Sequence, residues 1–198
     1  MEPFEIPTLE TERLRLRPFR PDDIDDYAAL YANPEVVRYL GAGTEPWDRG
    51  RSWRHMAFLV GHWRLKGAGI WVIEQKETGT FVGTGGFAEP DGWPGFELAG
   101  CLAPHCWRKG FAFEAGRAAL DYAFDVLDKD RVISLVHPEN RASIRVVERL
   151  GQSLQGRIDH FGREMLVFGI DREIHARRQD RVEVLPEPRE GREMPGPL

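Results

Sequence analysis

FELAGCLAPHCWRKGFAFEAG, residues 96–116, carries two different patterns on either side of a proline. Phe96 to Ala103 is short and mostly apolar and reads as a strand. Beyond Gly110 the period changes: Ala115, Ala119, Tyr122, Ala123 and Val126 recur on one face of a long helix. Between strand and helix, Trp107-Arg108-Lys109-Gly110-Phe111-Ala112 is a loop of small and basic residues. Arg131 to Val136 then returns to a β-branched, apolar strand. Strand, helix, strand in this order calls for a right-handed crossover and a parallel strand pair.

Upstream, Arg13-Leu14-Arg15-Leu16-Arg17 alternates polar and apolar, the signature of a strand with one buried face. Asp22 offers an N-cap to a helix carrying Ile24, Tyr27, Ala28 and Tyr31, and Asn33-Pro34 closes it. A second helix is expected from about Arg49 to Lys66, with Trp53, Met56, Ala57, Val60 and Trp63 as its apolar stripe. Ile70 to Lys76 and Phe81 to Phe87 flank the turn Glu77-Thr78-Gly79-Thr80 as a hairpin. Downstream, a helix spans roughly Arg141 to Leu150 with Gly151 at its C′ position, and Glu164 to Ile170 is a last strand. From about His175 the chain turns to Arg, Glu, Pro and Gly, which reads as a mobile or surface-laid tail. The expected organisation is one domain over 8–174 and a tail over 175–198.

The 198 residues suit one domain with a sizeable core, and 41% apolar with 30% charged residues is a soluble, globular profile. A formal charge of −5 argues against a generally nucleic-acid-binding surface. Cys101 and Cys106 have no His partners at zinc spacing, the six His are scattered, and free thiols fit a reducing compartment. Met1 to Leu9 lacks the features of a signal peptide and no stretch is long enough to span a bilayer, so a cytoplasmic protein without a membrane partner or metal is expected.

A helix that begins at this loop presents amides with no internal partner and the positive end of its dipole, which together hold an anion, above all a phosphate. Gly110 lets the backbone come close, Ala112 leaves the approach clear, and Arg108 and Lys109 add charge. The loop lacks GxxxxGK[ST] and GxGxxG, which argues against a triphosphatase and a dinucleotide site. A tight strand-to-helix turn with no ligand uses the same residues.

Beyond the loop, the chain resembles the GNAT superfamily, and within it the group related to ribosomal-protein N-terminal acetyltransferases (RimJ/RimL-like). The resemblance covers about residues 8 to 172. Its motifs are Thr11 to Arg17; Gly69-Ile70-Trp71-Val72-Ile73 with Glu77-Thr78-Gly79 and Val82-Gly83; Leu102-Ala103-Pro104 with Trp107 to Ala112 and Glu114-Ala115; and His137-Pro138-Glu139-Asn140 with Ser143-Ile144-Arg145-Val146 and Leu150-Gly151. It implies an α/β fold: a twisted, mainly antiparallel sheet with a central splayed parallel pair, flanked by helices. It also implies that acetyl-CoA is the co-substrate and that an amine receives the acetyl group. Amides from Arg108 to Ala112, in a cofactor-binding loop that also includes Trp107, Lys109, Gly110 and Phe111, would hold the CoA pyrophosphate, and Leu102 and Ala103 would offer backbone groups to the pantetheine. The Arg108 and Lys109 side chains meet the 3′-phosphate or remain solvated. Asn140 caps its helix, bonds pantetheine, or does both.

Acetyl transfer needs an acceptor amine without its extra proton and benefits from a donor to the departing sulfur. The family often places a Tyr seven residues after the Asn; here that position is Val147. Ser143, one turn earlier, bonds the sulfur instead or bonds its own backbone. Glu97 is the expected general base, sharing a strand face with Ala99, Cys101 and Ala103, or else a solvated edge carboxylate; Glu74 is the next candidate. The alternative function is a non-catalytic CoA-binding regulatory or interaction module. A protein N-terminus, a polyamine and an aminoglycoside all fit as acceptors, and a monomer and a homodimer as assemblies.

Overall fold

The structure is a computed structural model, and it describes residues 5–40 and 44–183. In chain order the elements are β1 (Leu9–Glu10), β2 (Leu14–Arg17), α1 (Ile24–Tyr31), α2 (Pro34–Val37), α3 (Arg49–Lys66), β3 (Ile70–Gln75), β4 (Phe81–Ala88), β5 (Glu97–Leu102), α4 (Phe111–Asp125), β6 (Arg131–Val136), α5 (Arg141–Arg149), β7 (Ser153–His160), β8 (Arg163–Asp171) and α6 (Arg172–Glu183). The strands form one sheet in the order β1-β2-β3-β4-β5-β6-β8-β7. Each described neighbour pair is antiparallel except β5 with β6, the pair that the crossover through α4 makes parallel. The expected mixed α/β sheet with a central parallel pair is therefore present.

Two apolar layers sandwich the sheet. On one face, Tyr27, Leu30 and Tyr31 of α1 and Met56 and Leu59 of α3 cover Ile70, Val72 and Phe81. On the other, Ala115, Ala119, Leu120, Ala123 and Phe124 of α4 cover Leu14, Leu16, Trp71, Ile73 and Val82. Small residues along α4 let it lie close to the sheet. A smaller cluster joins Ile144 and Val147 of α5 to Val136, Leu166 and Phe168.

Several expectations need correction. The stripe of α3 is rotated: Trp53 and Val60 are 57% and 43% exposed and Ala57 is exposed, whereas Ser52, Met56, Leu59, His62 and Trp63 are buried. His62 goes inside because its ring bonds the Ala68 carbonyl at 2.8 Å and accepts the Glu89 amide at 3.0 Å. At the C-terminus of α4, the capping residue Val126 is exposed and Phe124 takes its place in the core. The N-cap of α1 is Asp23, not Asp22, after a turn of 3-10 helix at Pro21–Asp23. The polar face of β2 is partly covered: Arg17 is buried and bridges Asp23 at 2.8 Å and Glu74 at 2.7 Å. β7 had no expectation at all, because it is an edge strand that is exposed along most of its length. The tail expected from His175 begins inside α6, where His175 is buried against Asp121 at 2.8 Å; residues 184–198 lie outside the described residues.

Candidate active site

The parallel pair holds together at one step. Glu97 faces Ile133, and the Ile133 amide donates to the Phe96 carbonyl at 2.9 Å. Beyond that step the strands part and side chains replace the ladder. The Ser134 hydroxyl donates to the Leu98 carbonyl at 2.9 Å, and the Leu135 amide donates to Glu97 Oε1 at 3.3 Å. The result is a crevice, closed near Glu97 and open toward Leu102 and Val136.

Strand alternation decides which β5 groups face this crevice. The Ala103 amide donates to the Val82 carbonyl, and the Ala103 carbonyl accepts the Cys106 amide. Ala103 thus has neither group to offer a ligand, contrary to expectation. Cys101 and Ala99 likewise turn toward β4, in a register that runs unbroken from Gly83↔Leu102 to Ala88↔Glu97. Leu98, Gly100 and Leu102 turn toward the crevice. Ser134 holds the Leu98 carbonyl, and the Trp107 indole donates to the Leu102 carbonyl at 2.7 Å. Gly100, which is exposed, is the crevice-facing β5 residue that the sequence reading missed; its place follows from register, which composition does not carry.

At the open end lies the loop Trp107 to Ala112. Arg108 and Gly110 both adopt left-handed backbone, φ 61° and 83°, and α4 starts at Phe111. The first helical amide with a carbonyl partner is that of Glu114, which donates to Gly110 at 3.1 Å. The Trp107 amide is taken by the Pro104 carbonyl at 3.1 Å, whereas those from Arg108 to Phe113 have no backbone acceptor among the described residues and form a nest at the positive end of the helix dipole. Phe111 is buried and anchors the loop, while Arg108 and Lys109 are exposed. Arg13, just before β2, braces the loop. It donates to the Lys109 carbonyl at 3.0 Å and to Glu114 Oε2 at 2.7 Å, and its guanidinium lies 4.7 Å over the Phe111 ring. Partial burial opposes the charge of Glu114, but bonds from Thr11 and Arg13 outweigh it and hold the carboxyl below its usual range. Left-handed glycine, unpaired amides and two cationic side chains fit a diphosphate, and the negative Glu114 is neutralised before it can repel one.

Asn140 Oδ1 accepts the Ser143 amide at 3.1 Å, so its capping role is real. Ser143 is half-buried at the start of α5, beside the open end of the crevice. Val147 packs into the Val136, Leu166, Phe168 cluster and brings no hydroxyl there.

Glu97 is 6% exposed. Its carboxylate accepts the Trp93 indole at 2.6 Å as well as the Leu135 amide. Burial dominates and pushes its pKa up to about 7, with the two hydrogen bonds pulling the other way. The Trp93 ring packs against His160 at the end of β7 at 4.5 Å and Phe161 in the β7–β8 turn at 5.9 Å, an aromatic group beside the carboxylate. Burial also lowers the His160 pKa, which favours the neutral ring. Glu74 is different: Arg17 and Arg15 bond it at 2.7 Å and 3.1 Å, and these cations outweigh burial and hold its pKa down. Burial raises both Cys101 and Cys106, which makes neither a ready nucleophile.

Comparison with known proteins gives the same outline. The family model described as "Acetyltransferase (GNAT) domain" matches residues 13–153. An uncharacterized N-acetyltransferase, p20 of Bacillus licheniformis, is 34% identical over 75% of this chain and 84% of its own. The crystal structure of an acetyltransferase from Agrobacterium tumefaciens str. C58 superposes with a TM-score of 0.74 at 32% identity, over 86% of this chain and 97% of the other. A spermidine N-acetyltransferase from Vibrio cholerae, solved with CoA and spermine, shares the fold at a TM-score of 0.69 and 21% identity, over 84% and 99% of the two chains. No described helix is long and apolar enough to cross a membrane.

Proposed function

This chain belongs to the GNAT acetyltransferase family, and from that premise we propose that it transfers acetyl from acetyl-CoA to a primary amine, a protein N-terminus or a small-molecule amine, with Glu97 as general base. The observation that carries the reading is a carboxylate with a pKa near 7, buried at the closed end of a crevice whose open end is an anion nest. Acetyl-CoA would supply the activated thioester carbonyl. The loop amides from Arg108 to Ala112 hold its diphosphate, and Gly100 and the Leu102 amide offer the β5 edge to its arm. Glu97, directly or through one water, takes the proton from the arriving ammonium. The freed nitrogen lone pair forms the new N–C bond, the C–S bond breaks, and the second proton shed by the nitrogen goes to the departing thiolate, which leaves as the CoA thiol. Ser143 at the start of α5 donates a hydrogen bond to the departing sulfur. No metal takes part in this scheme.

The motif at Thr11 to Arg17 and the placement of Glu97 support the RimJ/RimL-like group, and the two free thiols suit the cytoplasm. A monomer suffices for the scheme, since each group named belongs to one chain. One observation favours the non-catalytic alternative: Val147 leaves the usual acid position without a hydroxyl. A buried carboxylate tuned to neutral pH has no use in a scaffold, so catalysis is the better reading.

Calorimetry with acetyl-CoA in the presence of EDTA tests the binding half. Saturable binding is expected, and Gly110→Asp, which adds bulk and negative charge at the nest, should weaken it at least about tenfold. An amine panel with a free-thiol readout tests the chemistry. Binding without thiol release on any amine would favour the module instead.

A further inference from the structure

The crevice is sealed from two sides. Glu97 approaches from the face of α1 and α3. From the opposite face come Ser134 of β6 and Gln152, which follows α5 just after the buried Leu150. Both are 3% exposed. Their hydrogen bonds run in one direction. The Ser134 hydroxyl has a single proton and donates it to the Leu98 carbonyl, so its oxygen accepts from Gln152 Nε2 at 3.0 Å. Gln152 Oε1 has no partner among the described residues. A buried acceptor without a donor is destabilising, and a Leu of similar size would avoid it.

We propose that Gln152, seated on Ser134, is the plug that limits the transferred acyl group to about the size of acetyl. This rests on the acyltransferase reading above. A thioester with its diphosphate at Gly110 and its arm along β5 runs from the open end toward the closed one, so the acyl group is the part that arrives there. What it meets is side chain, not backbone: past the Glu97–Ile133 step, Ser134 spans the gap to Leu98 and the buried Gln152 is seated behind it. Close-packed side chains do not yield to extra methylenes without displacement. Glu97 closes the other side, so a longer acyl chain has no second route. Truncating Gln152 therefore opens room where a longer chain would lie, while the nest that holds the rest of the molecule is untouched.

Titration calorimetry of the full chain with free CoA, acetyl-CoA, propionyl-CoA and butyryl-CoA tests this without knowledge of the amine. The unaltered protein should bind butyryl-CoA about tenfold or more weaker than acetyl-CoA, in the range that single methylenes command in a tight pocket. Gln152→Ala should bring the two within about threefold and leave free CoA unchanged. Gln152→Leu refills the space, removes the unpaired oxygen and should discriminate like the unaltered protein, with a melting temperature at least as high. Ser134→Gly should relax discrimination from the second side of the plug. An unaltered protein that binds all three thioesters alike overturns the inference, as does a folded Gln152→Ala or Ser134→Gly variant that still discriminates. A chain that binds neither CoA nor any thioester overturns the acyltransferase reading itself, and this inference with it.

Discussion

Glu97 and Glu74 are both buried, at 6% and 7% exposure, and both lie on central strands of one sheet. Their chemistry is opposite. Glu74 sits between Arg17 and Arg15, with Asp23 on the far side of Arg17, and stays ionised. Glu97 meets an indole and one amide, has no cation within ion-pair distance among the described residues, and rises to about 7. Burial alone does not set the charge of a carboxylate; the partner does. The Arg17 cluster is architecture, tying β2 and β3 to the turn before α1. The Glu97 crevice, in the proposed function, holds the general base, a carboxylate that burial pushes up to about 7.

The comparison breaks most visibly in kinetics. Glu97→Gln should leave the affinity for acetyl-CoA unchanged and lower turnover about 10²–10⁴-fold, the usual worth of a general base. In the unaltered enzyme kcat/KM should rise with pH through about 7 as Glu97 loses its proton, and the variant should lack that limb. Initial rates across pH measure both, and a variant with unaltered rates at every pH would exclude the base assignment.

Glu74→Gln should do the reverse. It leaves Arg17 buried with Asp23 alone, and breaking a buried pair costs about 3–5 kcal/mol. Urea denaturation should register that loss while the kinetic limb near pH 7 stays in place. A variant of full stability with a displaced limb would mean that the two carboxylates have been assigned the wrong way round.

The pH dependence of stability separates them further. The folded pKa of Glu97 lies above its unfolded value of 4.5, so the folded state binds a proton that the unfolded state does not between about 4.5 and 7. Its contribution to stability is greatest below 4.5 and falls as pH rises through 7, by on the order of 3 kcal/mol at most. The contribution of Glu74 has the opposite sign, present above its unfolded pKa and lost as pH falls through its depressed folded pKa. Thermal melts from pH 4 to 8 should show a gain for Glu97→Gln over the unaltered protein at the alkaline end that vanishes at the acid end. A constant offset would refute the link.

The smallest effect belongs to Ser143. A single neutral hydrogen bond to the departing sulfur is worth about 0.5–1.5 kcal/mol. Ser143→Ala should slow turnover by about tenfold at most and leave the limb at pH 7 where it is, because the cap of α5 uses the Ser143 backbone amide and survives the change. A larger loss, or a shifted limb, would bring Ser143 into the proton path with Glu97.

The sequence by itself determined the order of strands and helices around the loop, the parallel crossover, the loop that opens a helix at Gly110 and the Asn140 cap. These rest on neighbours within a few residues: a glycine that allows left-handed backbone, a proline that stops an element, an oxygen three residues before the amide it accepts. Glu97, too, was named from its position on a strand. Its state was not, because burial sets it, and segments distant in sequence bury it, Leu135 of β6 being 38 residues away. Glu74 looked equally available until β2 brought Arg17 against it from 57 residues away, and Arg13 braces the loop from 96 residues off. The inward side of α3 was decided the same way. Hydropathy ranks Trp53 and Val60 above Ser52 and His62, but the bonds from His62 to Ala68 and Glu89 reverse that order. Gly100 replaced Ala103 because strand register, set by pairing with β4, chooses which alternate residues face the crevice. Local conformational preference is written along the chain; charge state, register and the buried side of a helix are properties of contacts between distant segments, and only the folded structure brings those segments together.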